Sequence, residues 1–137
     1  MKIDLNFSEL FAQPIEEVWR AITDRPWLAR WLMENDFEAR VGARFTLRQA
    51  DPSPWWRGHV ECEVLELERP KRMVWSWADG SGSASASRVI FELSGEGSRT
   101  RLTIRHVGDE PEEVAKMIRE RWPLKLRMLV SVLGGEL

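Results

Sequence analysis

The sequence contains one cysteine, Cys62, no tyrosine and only two histidines among 137 residues. A single cysteine cannot form an internal disulfide bond, which agrees with a reducing compartment. The longest uncharged stretches, 80–87 and 128–135, are far shorter than the roughly 18 to 20 apolar residues that cross a bilayer. The N-terminal segment carries Asp4 and Glu9 and lacks the apolar core of a signal peptide. We therefore predict a cytoplasmic protein with no membrane span.

An excess of basic residues is also lacking, since 20 Lys and Arg stand against 22 Asp and Glu, a formal net charge of −2. A protein that follows a phosphate backbone needs basic residues clustered on one face. The basic residues here are interleaved with Glu throughout, so we expect no nucleic-acid partner. Sixteen of the 20 basic residues are Arg, a bias that indicates a GC-rich, bacterial genome.

Short motifs of catalytic and cofactor sites are missing as well. The sequence has no Gly-x-Ser-x-Gly, no phosphate loop, no His-Glu-x-x-His and no paired cysteines. His59 and Glu61 share one face of a predicted strand, but no third metal ligand follows at a suitable spacing. Cys62 falls on the buried parity between Val60 and Val64, where a thiol serves as packing. We therefore predict no metal, no cofactor and no assigned catalytic residue.

Hydrophobic periodicity divides the chain into a strand, two helices, a run of strands and a final helix. Ile3, Leu5 and Phe7 alternate with polar residues, as in a strand with one buried face. Apolar residues at helical spacing then predict two short helices. The first runs from Pro14 to Ile22, and the second is capped by Asp24, has Pro26 in its first turn and runs to Leu32. From Phe37 onward the period returns to two, which predicts half-buried antiparallel strands. The predicted hairpin loops are 51–54, 68–71, 79–87 and 94–97.

The last segment has helical periodicity up to 133, with Asp109 and Glu112 as a capping box and Pro111 in the first turn. Its second half is apolar on most sides, as in a helix that a curved sheet surrounds. Pro123 lies inside this pattern, where it removes a backbone hydrogen bond and is predicted to kink the helix or split it at Trp122. The whole pattern predicts one α+β domain over 1–137. A curved antiparallel β-sheet wraps around a long C-terminal helix, and two short helices follow strand one.

Local sequence motifs resemble one family throughout the chain. Pro14-Ile-Glu-Glu-Val-Trp-Arg-Ala-Ile-Thr-Asp24, followed by Leu28-Ala-Arg-Trp-Leu32, resembles the opening of the activator of Hsp90 ATPase homologue family. Val41-Gly-Ala-Arg-Phe45 resembles its Gly-Gly-x-Phe turn, with Ala43 in place of the second Gly. Segments 58–77, 99–106 and 121–129 resemble its central hairpin, final strand and closing helix.

This resemblance implies the helix-grip fold of the START-like (Bet v 1-like, SRPBCC) superfamily over almost the whole chain. Its members carry lipids, sense hormones, catalyse cyclisation or assist chaperones on one scaffold. The function implied first is binding of a small hydrophobic or amphipathic molecule between the sheet and the C-terminal helix. An Hsp90-type co-chaperone or interaction module is the alternative, and a cyclase-like enzyme that uses the same cavity is the second.

Eight tryptophans are the unusual feature of the composition, and the inward parity of several aromatic residues predicts where a ligand would lie. The predicted ligand-binding residues are Trp31, Phe45, Trp56, Trp75, Trp77, Phe91, His106, Met117, Arg121 and Trp122. Alternatively these side chains simply fill the space, since each large aromatic buries about 150 to 250 Å². His106 is either a polar anchor or base, or a buried structural histidine. Arg121 and Lys125 are candidates to pair with an anionic ligand.

The interaction-module hypothesis depends on different tryptophans. If Trp27, Trp31, Trp55 or Trp56 is exposed, it would contribute to an apolar patch for a chaperone or for a homodimer. Exposure of these four side chains is therefore the structural feature that separates the two hypotheses.

Overall fold

The described residues form one antiparallel sheet of seven strands with three accompanying helices. The computed structural model describes residues 1–50, 56, 58–78 and 86–134. In chain order the elements are β1 (Lys2–Phe11), α1 (Ile15–Thr23), α2 (Arg25–Trp31), β2 (Glu34–Asn35), β3 (Arg44–Arg48), β4 (His59–Glu68), β5 (Arg72–Trp77), β6 (Ala86–Glu96), β7 (Arg99–Asp109) and α3 (Glu112–Gly134). Along the sheet the order is β1-β7-β6-β5-β4-β3-β2. The predicted fold class is confirmed.

The sheet is curved, and its inner face packs against α3. Side chains alternate between the two faces of each strand, so Leu102, Ile104 and His106 of β7 are fully buried. The rings of Phe91 on β6 and Trp122 on α3 lie 6.2 Å apart. The hydrophobic core therefore lies between the concave face of the sheet and this helix.

The two short helices are held to each other by a buried hydrogen bond. α1 buries its apolar face, including Val18 and Ile22. The indole N–H of Trp31, at the end of α2, donates to the carbonyl oxygen of Ala21 at 2.7 Å. This bond satisfies both polar groups inside the core and fixes α2 against α1.

The C-terminal helix α3 continues through Pro123 as one helix of 23 residues. Proline cannot donate a backbone hydrogen bond, yet the helix does not end at Trp122, so the predicted split is wrong. Trp122 and Leu126 on either side of the proline are both buried, and this packing outweighs the local cost of proline. None of the described helices is both long enough and apolar enough to span a membrane.

The β6–β7 hairpin closes with only two residues, Gly97 and Ser98. Gly97 has φ +68°, a conformation that suits a residue without Cβ and that short hairpin turns require. The predicted loop at 94–97 is therefore wrong in its bounds, because β6 continues to Glu96, which pairs with Arg99. The glycine at the turn, and not Gly95 before it, ends the strand.

The glycine- and serine-rich segment also ends earlier than predicted. Ser87 belongs to β6, where it pairs with Trp77 of β5 and Gly108 of β7. The rest of the predicted loop, 79–85, lies outside the described residues, as does the predicted loop at 51–54. In the sequence, Leu65 and Leu67 break the two-residue parity of Val60 and Val64, which predicts a bulge in this strand. The register shift between Val64 and Glu66 in the β4–β5 pair confirms it.

Candidate functional site

A small cavity lies between the sheet and α3, close to three tryptophans. Its lining residues are Leu32, Met33, Trp56, Trp77, Met117, Ile118, Arg121, Trp122 and Lys125. The cavity volume is about 30 Å³, roughly the space that one water molecule occupies in the liquid. Large aromatic side chains therefore fill most of the space that the curved sheet encloses.

Half of the predicted ligand-binding residues line this cavity. They are Trp56, Trp77, Met117, Arg121 and Trp122. Four further residues line the cavity, and of these only Lys125 was a predicted candidate, as a partner for an anionic ligand. Leu32 was predicted as part of the apolar stripe of the second helix, and Met33 follows that helix, where no parity assigns its direction. Ile118 and Lys125 lie one helical turn from Trp122 on α3, so helical spacing alone was a usable signal for both.

The other five predicted residues are packed behind the cavity or beside it. Phe45, Trp75 and Phe91 belong to an aromatic cluster in which Trp75 lies 4.9 Å from Phe45 and 4.6 Å from Phe91, ring centre to ring centre. Trp31 is engaged with α1, and His106 is fully buried. For the residues that lie on strands, the alternation of side chains predicted the correct face of the sheet but not how far each side chain lies from the cavity.

An open groove continues from the cavity toward solvent, between α2 and α3. Its volume is about 790 Å³, within the range of about 300 to 1,000 Å³ for sites that hold small molecules. Its lining residues are Ala29, Arg30, Trp31, Leu32, Met33, Glu34, Arg48, Gln49, Ala50, Glu120, Arg121, Leu124, Lys125 and Met128. The cavity and the groove share four residues, Leu32, Met33, Arg121 and Lys125. We call this shared place the mouth.

The partners of two cationic side chains at the mouth include neutral groups. The Lys125 ammonium donates to the carbonyl oxygen of Leu32 at 2.7 Å and to Oε1 of Gln49 at 2.5 Å. The Arg121 guanidinium lies 5.8 Å from the ring centre of Trp56, a cation–π contact. The Trp56 indole N–H donates to the Gln49 carbonyl oxygen at 2.6 Å. Gln49 thus connects the tryptophan wall of the cavity to Lys125.

A chain of buried hydrogen bonds holds the inner wall of the cavity. The Trp122 indole N–H donates to Nδ1 of His106 at 3.0 Å. Nε2 of His106 lies 3.0 Å from Oγ of Ser87, and the Ser87 hydroxyl donates to Oε2 of Glu110. Ser87, His106 and Glu110 are 5%, 0% and 2% exposed. Trp77 also contacts the imidazole, with ring centres 5.2 Å apart.

The direction of these bonds fixes the chemical state of His106. Because Nδ1 accepts a hydrogen bond from the Trp122 N–H, Nδ1 carries no proton, and Nε2 must carry the N–H that donates to Ser87. The imidazole is therefore neutral, in agreement with burial, which lowers the pKa of His106 to about 3. The serine hydroxyl points away from the histidine, opposite to the polarity of a serine–histidine nucleophile. In this arrangement His106 positions Trp122 and offers no lone pair to a substrate.

Ser87 connects the two ends of this chain, so its loss should be costly. We expect Ser87→Ala to lower the free energy of unfolding by about 1 to 3 kcal/mol, because it leaves the His106 N–H without its acceptor in the core. Urea denaturation at pH 7 measures the change. Ser94→Ala, on the exposed face of the same strand, is the matched control. Equal stability of the two variants would contradict the hydrogen-bonded chain.

Among the described residues, the tryptophans of the interaction-module hypothesis form no exposed patch. Trp31 and Trp56 are buried, and Trp27 is half-buried with the Arg30 guanidinium 4.9 Å from its ring centre. Trp55 lies outside the described residues. Trp31 and Trp56 have polar N–H groups that find carbonyl partners inside the fold, which explains why they are not exposed.

Neither the single cysteine nor a group of potential metal ligands forms a second site among the described residues. Burial raises the pKa of the Cys62 thiol well above its ordinary value, which disfavours the reactive thiolate. Among the described residues, no three His, Cys, Asp or Glu side chains gather in a group that would hold a metal ion.

The geometry agrees with a comparison of the sequence against known families. Residues 12–134 match the family described as "Activator of Hsp90 ATPase homolog 1-like protein". The chain belongs to this family. No curated protein matches the sequence. The family match therefore identifies the fold and its superfamily but does not define a ligand.

Solved structures of bacterial proteins show the same fold. Protein MLL2253 from Mesorhizobium loti is 28% identical, with a TM-score of 0.87 and 98% of each chain covered. Protein BH1534 from Bacillus halodurans is 30% identical, with a TM-score of 0.68, over 94% of this chain and 92% of that one. CalU16 from Micromonospora echinospora is 26% identical, with a TM-score of 0.77, over 93% of this family member and 74% of CalU16.

Proposed function

We propose that this family member binds a small hydrophobic or amphipathic molecule at the tryptophan-lined cavity and the mouth. The observation that supports the proposal is that an apolar cavity and an open groove share four lining residues at the mouth. Binding sites for small molecules are mostly apolar, with a few polar groups that orient the ligand. Trp77 and Trp122 supply the apolar wall, and Arg121 and Lys125 supply the polar groups.

The size of the cavity determines what must move on binding. The cavity of about 30 Å³ is far smaller than the roughly 300 to 1,000 Å³ of sites that hold small molecules, so a ligand must displace a side chain to enter. Trp56 and Met117 are the side chains best placed to move. Trp56 lies at the cavity wall nearest the mouth, and Met117 has a flexible side chain that is only half-buried. The proposal therefore predicts a fluorescence change from tryptophan when a ligand enters.

A thermal-shift screen tests this proposal directly. The probes are fatty acids, sterols, flavonoids and aromatic polyketides, and tryptophan fluorescence is the second measurement. A ligand at 100 times its Kd stabilises the folded state by about 2.7 kcal/mol, which raises the Tm of a domain of this size by several degrees. Absence of both a Tm shift and a fluorescence change across the panel would contradict the proposal.

A matched pair of variants locates the site of any probe that binds. Met117→Trp adds bulk to the cavity, and we expect it to abolish the thermal shift. Val130→Trp adds the same bulk at an exposed position of α3 that lines neither the cavity nor the groove, and it should keep the full shift. Loss of binding in both variants, or in neither, would place the ligand elsewhere.

One observation favours protein contact as a second function. Leu124 and Met128 lie four residues apart on α3, line the groove and are 69% and 45% exposed. Exposed apolar strips mark contact surfaces, and the partner would be an Hsp90-type chaperone or a second copy of the chain. Light scattering and titration with a purified Hsp90 homologue test this. A monomeric mass and no binding would remove it.

A further inference from the structure

The mouth of the cavity is unusually rich in positive charge for this protein. Within the described part of the chain the groove is lined by four cationic side chains and two carboxylates, Arg30, Arg48, Arg121 and Lys125 against Glu34 and Glu120. The whole sequence has a net charge of −2. A positive potential is thus concentrated along the groove, beside the residues that it shares with the cavity.

Two of these cations lack carboxylate partners of their own. Neither Arg30 nor Arg48 forms a salt bridge with any residue in the described ranges. Arg105, in contrast, pairs with Asp4, and Arg72 pairs with Glu66 and Glu92. Within the described residues no salt bridge therefore offsets the charges of Arg30 and Arg48 in the groove.

The other two cations are placed where a ligand must pass. Arg121 and Lys125 lie one helical turn apart on α3 and line both the cavity and the groove. The guanidinium is oriented by Trp56, and the ammonium is oriented by Leu32 and Gln49. No acidic side chain is present among the cavity-lining residues in the described part of the chain. An anionic group at the mouth would meet oriented donors and no nearby repulsion from the cavity wall.

We propose that the ligand is an amphipathic anion, whose carboxylate, sulfonate or phosphate group lies at Arg121 and Lys125 while its apolar part enters between Trp56, Trp77 and Trp122. This inference rests on the proposed function, because it names the chemical class of the molecule in the same site. Charge-assisted hydrogen bonds to the two cations supply specificity, and burial of the apolar part supplies most of the affinity.

A pair of fluorescent probes that differ by one charged group tests the inference. 8-Anilinonaphthalene-1-sulfonate carries a sulfonate, and N-phenyl-1-naphthylamine has the same ring system without it. We expect the sulfonate to bind the wild-type protein about tenfold more tightly, which corresponds to one charge-assisted hydrogen bond. Its Kd should rise as NaCl is raised from about 20 to about 500 mM, because salt screens exposed charges, while the Kd of the neutral probe stays constant.

Variants at the mouth separate charge from shape. In the double variant Arg121→Gln/Lys125→Gln we expect the Kd of the sulfonate to rise about tenfold and that of the neutral probe to change less than twofold. Arg119→Gln, at an exposed position of α3 that lines neither space, is the control and should change neither Kd. Circular dichroism confirms that each variant is folded, since partly unfolded states also bind such dyes.

The outcomes distinguish the two proposals. Equal affinity for both probes, or equal losses of both in the double variant, overturns the anion inference and leaves the proposed function in place. Absence of binding by either probe to the folded wild-type protein overturns both.

Discussion

Lowering the pH from 7 to 5 is expected to reduce the free energy of unfolding by about 2 kcal/mol through His106 alone, and lowering it to 4 by about 3 kcal/mol. Burial lowers the pKa of the folded-state imidazole to about 3, below the ordinary value of 6.5. Below pH 6.5 the unfolded chain takes up a proton at this residue and the folded protein does not. The contribution of His106 to the free energy of unfolding is therefore fully present above pH 6.5 and is lost as the pH falls toward 3.

Protonation is excluded by the hydrogen-bond pattern as well as by burial. A doubly protonated imidazole would point an N–H at the Trp122 N–H, which has no acceptor to offer. The folded protein must therefore break the bond between Trp122 and His106 before it can accept the proton. The loss of stability and the loss of the cavity wall should consequently occur together.

Urea denaturation at pH 7, 6 and 5 measures this dependence. His106→Gln should be less stable at pH 7 but should lack the pH dependence over this range. His59→Gln removes the chain's other imidazole, on β4 and away from Trp122, and should keep the wild-type slope. The Arg105 hydrogen bond lowers the pKa of the Asp4 carboxyl from its ordinary value of 3.8, so its stabilisation is present above about pH 3.8 and is lost as the pH falls further, outside this range. Parallel curves for the wild type and His106→Gln would show that the buried histidine does not control acid stability.

The sequence predicted the face on which His106 lies but not its partners. Alternation with Leu102 and Ile104 places the imidazole inward, and an inward imidazole needs hydrogen-bond partners. Ser87 was assigned to a flexible loop because it ends a run of glycine, serine and alanine. Its parity with Val89 on β6 was the signal that would have placed it beside His106, once β6 is aligned with β7. Glu110 lies just outside the helix, where periodicity gives no direction.

The cavity was less predictable than the fold for a physical reason. Fold class follows from the period of the apolar pattern and from the order of the elements, both of which are local properties of the sequence. The volume left between sheet and helix depends on how eight tryptophans and their neighbours pack in three dimensions. The sequence therefore predicted both an open pocket and a filled core for residues such as Trp75 and Trp122. Trp75 lies in the filled part, and Trp122 lies at the edge of the small cavity.

Truncation of Trp122 is expected to destabilise the protein more than loss of the Ser87 hydroxyl does. Trp122→Ala removes the ring contacts with Trp77 at 5.8 Å and Phe91 at 6.2 Å, together with the bond to His106. We expect the free energy of unfolding to fall by about 3 to 5 kcal/mol, the usual range for a buried large aromatic. Chemical denaturation at pH 7 measures this loss.

Trp122→Phe separates the two causes of that loss. The phenyl ring keeps most of the packing between α3 and the sheet but cannot donate to Nδ1 of His106, so we expect a loss of about 1 to 3 kcal/mol from the unpaired acceptor. Trp27→Ala, a half-buried tryptophan on α2, is the control for tryptophan removal and should cost less than Trp122→Ala. If Trp122→Phe and Trp122→Ala lower the free energy of unfolding by the same amount, the indole N–H accounts for the whole loss. The ring would then make no packing contribution. If Trp27→Ala lowers the free energy of unfolding as much as Trp122→Ala does, the interface between α3 and the sheet is not organised around Trp122. The cavity wall proposed to receive the ligand would then not be rigid.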